Sequence, residues 1–317
     1  MAKIVGAGET IVDLIFKNGE PQKAVPGGSV FNALVSAKHA GADVLFVSET
    51  GKDKVGRIVL DFLKKNGIST DYIYLYDEVN TPVSMAFLND KNDAEYVFYK
   101  PRPQRLPVEP LPVLSDGDAL LFGSFYSLSA ETRSRLVPLL SQSAKVDCVR
   151  YYDPNFRSSH LKDLDRLLPV ILDNMRSADI VRGSDEDFRN IFGSEEFAGL
   201  SGEDFVRALY ERHIGALCGN FICTCGSQGV WLCTPERVKF YPSRDITTVS
   251  TIGAGDSFNA GVLSAVVALG LRRSDLEVLK PETWDKIITA GVDFSSAVCQ
   301  TYSNYVPDNF AWDSCDL

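Results

Sequence analysis

ALLFGSFYSLSAETRSRLVPLLSQSAKVDCVRYYD, residues 119–153, is the stretch that decides the fold. Its two ends, ALLFGS (119–124) and CVRYYD (148–153), are short apolar runs of strand length. Between them, 130–143 carries a helix-like pattern. A strand, a helix and a second strand in this order read as a crossover joining parallel neighbours. The unit recurs along the chain. Further strands are expected at 3–8 (KIVGAG), 43–48 (DVLFVS), 179–182 (DIVR) and 221–225 (FICTC), and further helices at 29–40, 55–66, 162–176, 203–213, 255–269 and 283–300. Such alternation predicts an α/β fold, a mostly parallel sheet with helices on both faces. Right-handed crossovers then gather the loops at the carboxyl ends of the strands, where ligands bind.

Two segments break the alternation. IVDLIFKNGEPQKAV (11–25) reads as an antiparallel hairpin turning at Asn18-Gly19-Glu20, and VSMAFLNDKNDAEYVFYK (83–100) as a second one turning between Asn89 and Asp93. Together they predict a small β lid beside the core. The expected division is a core of 1–10, 26–80 and 101–317 and a lid of 11–25 and 81–100. The proline-rich PRPQRLPVEPLP (101–112) would return the chain from lid to core.

The bulk numbers narrow the function classes. The 317 residues can bury a large core, and 45% hydrophobic with 23% charged residues is ordinary for a globular protein. A formal net charge of -10 argues against nucleic-acid or anionic-membrane partners, though one local turn can still bind a phosphorylated ligand. MAKIVGAGETIV (1–12) lacks the build of a signal peptide, and no run is long and apolar enough for a membrane span. The seven cysteines have no metal-ligand spacing beyond Cys223-x-Cys225, which lies in a buried-looking strand, so reduced structural thiols in a cytoplasmic protein are expected.

Four motifs carry chemistry, each with a plain alternative. Gly6-Ala-Gly8-Glu9 begins like a dinucleotide fingerprint, but Ile11 stands where the third glycine belongs, and that reading is rejected. Asp13, among apolar neighbours, is either a solvated turn residue or a carboxylate for substrate hydroxyls. Pro26-Gly27-Gly28 opens a helix whose Asn32 lies one turn on, so its amide either binds a sugar hydroxyl or belongs to an ordinary loop-to-helix turn. Asp153-Pro-Asn-Phe-Arg157 ends a core strand; Arg157 either stabilises a transferring phosphate or forms a surface ion pair. Gly253-Ala254-Gly255 before a helix offers consecutive N–H groups and a positive dipole end to an anion. Asp256, placed over that cradle, would by itself simply complement the dipole.

Taken in order, these motifs resemble the ribokinase-like (pfkB) carbohydrate kinase family over essentially the whole chain. The resemblance includes Gly51-Lys-Asp53…Gly56 and Thr224-Cys-Gly226-x-x-Gly229, and the pairing of G-G-x-x-x-N with G-A-G-D is its most specific part. Thr81-Pro82, Phe98-Tyr99 and D-P-N-x-R look most like the fructokinase branch. The resemblance implies a three-layer α/β/α core, a β lid over the sugar, and ATP-dependent transfer of the γ-phosphoryl group to a hydroxyl of a monosaccharide, with fructose expected. It implies that Asp13, Gly28 and Asn32 bind sugar, that Gly253, Ala254 and Gly255 form the anion hole, that Asp256 is the base, and that Arg157 holds sugar or phosphate. Thr224 and Gly226 would lie along the nucleotide, Gly229 would shape that turn, and Mg²⁺ would bridge the phosphates largely through water.

Three departures bear on the cations. Ser250-Thr251-Ile252 stands where the family often has Asp-Thr-Thr, and Ser303-Asn304 replaces a usual glycine, so potassium activation is expected to be weak or absent. The acidic motif tied to Mg²⁺ is present only as Arg182-Gly-Ser-Asp185 with Glu186 beside it; Asp185 is taken as the water-mediated magnesium partner and Glu186 as its alternative. A 2-keto-3-deoxygluconate kinase using Arg102 and Arg105, a nucleoside kinase with Phe87, Tyr96 and Phe98 against a base, and a catalytically silent sugar binder are the competing readings. A homodimer through the lids is also expected.

Overall fold

The computed structural model describes residues 2–88, 94–99, 101, 103 and 105–312, with the backbone alone for 88 and 94–96. The chain opens with β1 (Ile4–Ala7), β2 (Ile11–Lys17), β3 (Glu20–Gly27), α1 (Ser29–His39), β4 (Val44–Gly51), α2 (Lys54–Lys65) and β5 (Ile73–Tyr76). It continues through β6 (Val83–Leu88), β7 (Ala94–Tyr99), β8 (Ala119–Gly123), α3 (Ala130–Ser143), β9 (Val149–Asp153), α4 (Leu164–Ser177), β10 (Ile180–Ser184), α5 (Asp185–Phe192) and α6 (Gly202–Leu209). It closes with β11 (Asn220–Thr224), β12 (Gly229–Thr234), β13 (Arg237–Pro242), α7 (Ala254–Ala268) and α8 (Pro281–Cys299).

Nine strands form one sheet in the order β13-β12-β11-β10-β9-β8-β1-β4-β5, parallel from β5 to β11 and antiparallel only at β12 and β13. Alternation along each strand sends successive side chains to opposite faces. Leu121, Val149 and Tyr151 therefore pack with α1, α2, α7 and α8, while Leu120, Phe122 and Tyr152 pack with α3, α4, α5 and α6. These are the three layers expected from the strand–helix alternation.

The two hairpins stand apart as a four-stranded sheet ordered β3-β2-β6-β7. Asn18 and Gly19, both at positive φ, make the two-residue turn between β2 and β3. The turn expected between Asn89 and Asp93 lies outside the described residues. Segment 105–112 returns without regular structure and buries Leu106. Asp53 ties this sheet's base to the core: it caps α2 through the Gly56 amide at 2.7 Å and accepts from the Thr81 amide at 2.7 Å and hydroxyl at 2.9 Å.

Four elements were not anticipated. β5, β12 and β13 lie at the two ends of the large sheet, and α5 follows directly from β10. Helix α6 also stops at Leu209 and runs into a π-helical turn over Tyr210–Ile214 instead of continuing.

Candidate active site

Two helix N-termini meet at the carboxyl ends of the parallel strands. α1 starts after Gly28, whose φ of 135° suits glycine alone; a Cβ there would lie 2.3 Å from the Glu9 carbonyl oxygen. α7 starts after Gly253 at φ 79°, where a Cβ would lie 2.0 Å from the Asn304 carbonyl oxygen. The segment carrying Ser303 and Asn304 is thus packed directly on the turn. The Ala254 amide donates to Thr251 at 3.2 Å. Gly255 and Asp256 belong to the first helical turn, whose N–H groups have no intrahelical acceptor.

Asp256 is bridged to the other helix. Its Oδ1 accepts from Ser29 Oγ at 2.8 Å and its Oδ2 from Asn32 Nδ2 at 2.9 Å. Burial pushes its pKa up to about 6; the Asn32 and Ser29 hydrogen bonds oppose the rise, Asp153 adds to it and Arg157 opposes it. The carboxylate is therefore ionised near neutrality but close to its protonation point.

Asp13 reaches the same cleft from β2. Its Oδ1 accepts a hydrogen bond from Ser84 Oγ on the paired strand β6. An added Cβ on Gly27 would lie 3.5 Å from Asp13 Oδ2 and 3.6 Å from Asn32 Oδ1, which puts both oxygens around one small hollow. Asn32 Oδ1 is buried with no hydrogen-bond partner among the described residues. A polyhydroxylated ligand there would satisfy it.

On the other side of Gly255 lies a buried polar chain. Asp153 Oδ2 accepts from Arg182 Nη1 at 2.8 Å and Asn259 Nδ2 at 2.6 Å, and its Oδ1 accepts from the Asn155 amide at 3.0 Å. Tyr151 donates to Asn259 at 3.0 Å, and Arg182 Nη2 donates to Thr224 Oγ1 at 2.9 Å. Arg157 is exposed at the rim. Asp185, half-buried, and Glu186, exposed, begin α5, whereas Asp187 is buried and completes a capping box with Ser184. Burial, then the Asp153 charge, raises the Asp187 pKa. Gly226 and Gly229 flank the turn after Thr224, and Gly229 packs against the Tyr241 carbonyl oxygen.

The structure thus brings Asp13, Gly28, Asn32, Arg157 and Gly253–Asp256 to one cleft, with Thr224 joined to it through Arg182. Gly229 sits against β13. Of the sugar-acid candidates, Arg102 lies outside the described residues and Arg105 is exposed on the return segment. Ser29, Ser84 and Arg182 were given no role from sequence. Ser29 could have been noticed as the first helical residue after the glycine pair. A second hollow of about 680 Å³ opens at the amino ends of the strands, and its Arg150 and Asp179 are paired to each other at 2.6 Å.

The comparisons with known proteins point the same way. The family model for the pfkB family carbohydrate kinases matches residues 1–309. The chain belongs to the pfkB carbohydrate kinase family. Within this family it is 27% identical to the fructokinase of Salmonella typhimurium over 285 residues, covering 88% of this chain and 89% of that one. It is 28% identical to the fructokinase of Klebsiella pneumoniae over 284 residues, with coverage of 88% and 89%. Its fold matches aminoimidazole riboside kinase from Salmonella enterica, solved with aminoimidazole riboside and an ATP analog, at TM-score 0.81, 19% identity and 97% of both chains. It also matches Vibrio cholerae O395 fructokinase, solved with fructose, ADP and calcium ion, at TM-score 0.79, 19% identity, 96% of this chain and 94% of that one. This pfkB member is a sugar kinase with the ribokinase-like fold. Among the described residues, no helix is long and apolar enough to cross a membrane.

Proposed function

We propose that this sugar kinase phosphorylates fructose, with Asp256 as the base. The observation that carries the reading is the Asp256 carboxylate, held between Ser29 and Asn32 at the N-terminus of α7 with a pKa of about 6. Fructose as the acceptor is supported by the fructokinase relatives at 27% and 28% identity. Asp13, Gly28 and Asn32 would hold the sugar, and Gly253, Ala254 and Gly255 the phosphates. As the sugar hydroxyl oxygen attacks the γ-phosphorus, its proton passes to Asp256, the bond to the bridging oxygen breaks, and ADP leaves. A base near pKa 6 accepts that proton in the transition state and loses it to water afterwards at neutral pH. Arg157 would face the transferring group from the rim, and Thr224 with Gly226 would line the nucleotide beside the turn closed by Gly229. The small sheet would act as the lid, excluding water as a competing nucleophile.

Among the described residues, no three or more His, Cys, Asp or Glu side chains converge into a metal cage. The carboxylate of Asp185, half-buried at the start of α5, or of exposed Glu186 next to it, would be the protein partner of a cation carried mainly by phosphate oxygens and water. Mg²⁺ would supply neutralisation of phosphate charge when bound. Ile252 is 50% exposed beside Ser250, an apolar group in the segment where the family often has acidic Asp-Thr-Thr, so potassium should stimulate little. The setting is taken as cytoplasmic, in keeping with six free cysteines among the described residues.

The test is ADP release from ATP and Mg²⁺ with a panel of sugars and sugar acids, with and without potassium. Fructose should give the highest kcat/KM; preference for 2-keto-3-deoxygluconate or a nucleoside would replace it as substrate. Asp256→Asn should fold and lower kcat by roughly 10²–10⁴, the range for loss of a general base. Near-wild-type turnover in that variant would remove Asp256 from the mechanism.

A further inference from the structure

Arg182 is a residue of the cleft that the mechanism above does not use. It sits on the third residue of β10, is only 6% exposed, and its guanidinium joins three segments of the site. Nη1 donates to Asp153 at 2.8 Å, Nη2 donates to Thr224 at 2.9 Å, and Nε, also buried, has no hydrogen-bond partner among the described residues. A Cβ added to Gly255 would lie 3.0 Å from Nη2 and 3.1 Å from Nη1. Glycine at 255 is therefore what lets the guanidinium lie against the cradle. The ring of Phe258, one turn along α7, lies 5.5 Å from the guanidinium carbon.

A buried cation beside a helix N-terminus is like-signed with the dipole, which favours anions there. The Asp153 carboxylate offsets part of this, but it also serves Asn259 and the Asn155 amide. An anion in the Gly253–Gly255 turn would face both the helix end and the guanidinium behind it.

We propose that Arg182 is a positioning residue for the nucleotide's phosphates, including those that ADP retains, a protein-borne positive charge fixed behind the Gly253–Gly255 cradle and tied through Thr224 to the nucleotide turn. The inference rests on the assignment of that cradle to the phosphates. It goes beyond the known family membership by making β10, and not only the α7 N-terminus, part of phosphate binding.

Arg182→Met leaves Asp153 buried and unpaired, so a fold defect alone would lower activity. The double variant Arg182→Met/Asp153→Asn removes the pair together and separates the two effects. Thermal melting, kcat, KM for ATP, and competitive inhibition by ADP and by adenosine are measured for both variants and for Arg182→Lys. The double variant should recover the melting temperature, yet its inhibition constant for ADP should stay about 10- to 100-fold above wild type, as for loss of a charge-assisted hydrogen bond. Adenosine, which has no phosphate, should inhibit all forms within about twofold, and Arg182→Lys, which keeps the charge, should retain ADP inhibition within about fivefold. Wild-type kcat and ADP affinity in the double variant, or equal losses for ADP and adenosine, would overturn the role of Arg182. Wild-type protein that ADP does not inhibit would instead overturn the phosphate cradle itself.

Discussion

Asp256 stands where two helix N-termini point, yet its pKa is raised, to about 6. Burial outweighs the two hydrogen bonds that favour the charged form, and Asp153 adds repulsion. Two consequences follow from one sign. The folded state holds the proton more tightly than an unfolded Asp, so between about pH 4 and 6 folding takes up a proton, and the contribution of this group to stability falls as pH rises through that window. At pH 8 Asp256→Asn should then melt no lower than wild type, gaining stability on the order of 2 kcal/mol, with the difference vanishing toward pH 4. Activity runs the other way, because only the ionised form is a base. The acidic limb of kcat/KM should lie near pH 6 and move upward in Ser29→Ala, which removes a hydrogen bond to the carboxylate. A limb that does not respond to Ser29→Ala would assign that titration to another group.

At the scale of elements, the turn into α7 is fixed from outside the helix. Gly253 is in the left-handed region and pressed against the Asn304 carbonyl, so Gly253→Ala meets a strained backbone and a collision together. It should cost about 1–3 kcal/mol by melting, and kcat should fall more than about tenfold as the cradle shifts. Gly270→Ala, past the other end of α7 at φ 65° with open space around it, should cost about 1 kcal/mol and leave kcat alone. The comparison separates a strained cradle from a strained backbone. The same contrast explains what the sequence made legible. Runs such as ALLFG and VRYYD are buried on both faces, and their apolar content announces them. α5 has eight residues with three acids in its first turn, and β5 has four residues at a sheet edge, too short for a period to emerge. Within the site, Gly253–Asp256 and Gly28–Asn32 were legible because each motif is contiguous. Ser29 and Ser84 act on carboxylates 227 and 71 positions away, and Arg182 reaches 29 and 42 positions to Asp153 and Thr224. Only the fold makes those neighbours.

For the whole molecule, the small sheet has two unlike faces. Pairing puts Asp13, Ser84 and Phe98 on one face, with the candidate sugar site, and Phe16, Phe87, Met85, Val97 and Tyr99 on the other. Phe16 stacks on Phe87 at 5.1 Å, and Phe87, Val97 and Tyr99 remain 39%, 41% and 53% exposed. Contiguous apolar surface of this kind, on a sheet whose outer strands are β3 and β7, is what a second copy can cover. We infer a homodimer with these faces together, which would also stiffen each lid over its own sugar. Charges placed there should disfavour association without touching the core: Phe87→Glu and Val97→Lys should each convert a dimer to a monomer in sedimentation velocity, and mixing the two should restore dimers by pairing opposite charges. Because both positions face away from Asp13, the monomers should keep kcat while KM for the sugar rises as the lid loosens. Wild-type protein sedimenting as a monomer at micromolar concentration would leave the apolar face without this partner, and unchanged dimers in both variants would move the interface elsewhere on the molecule.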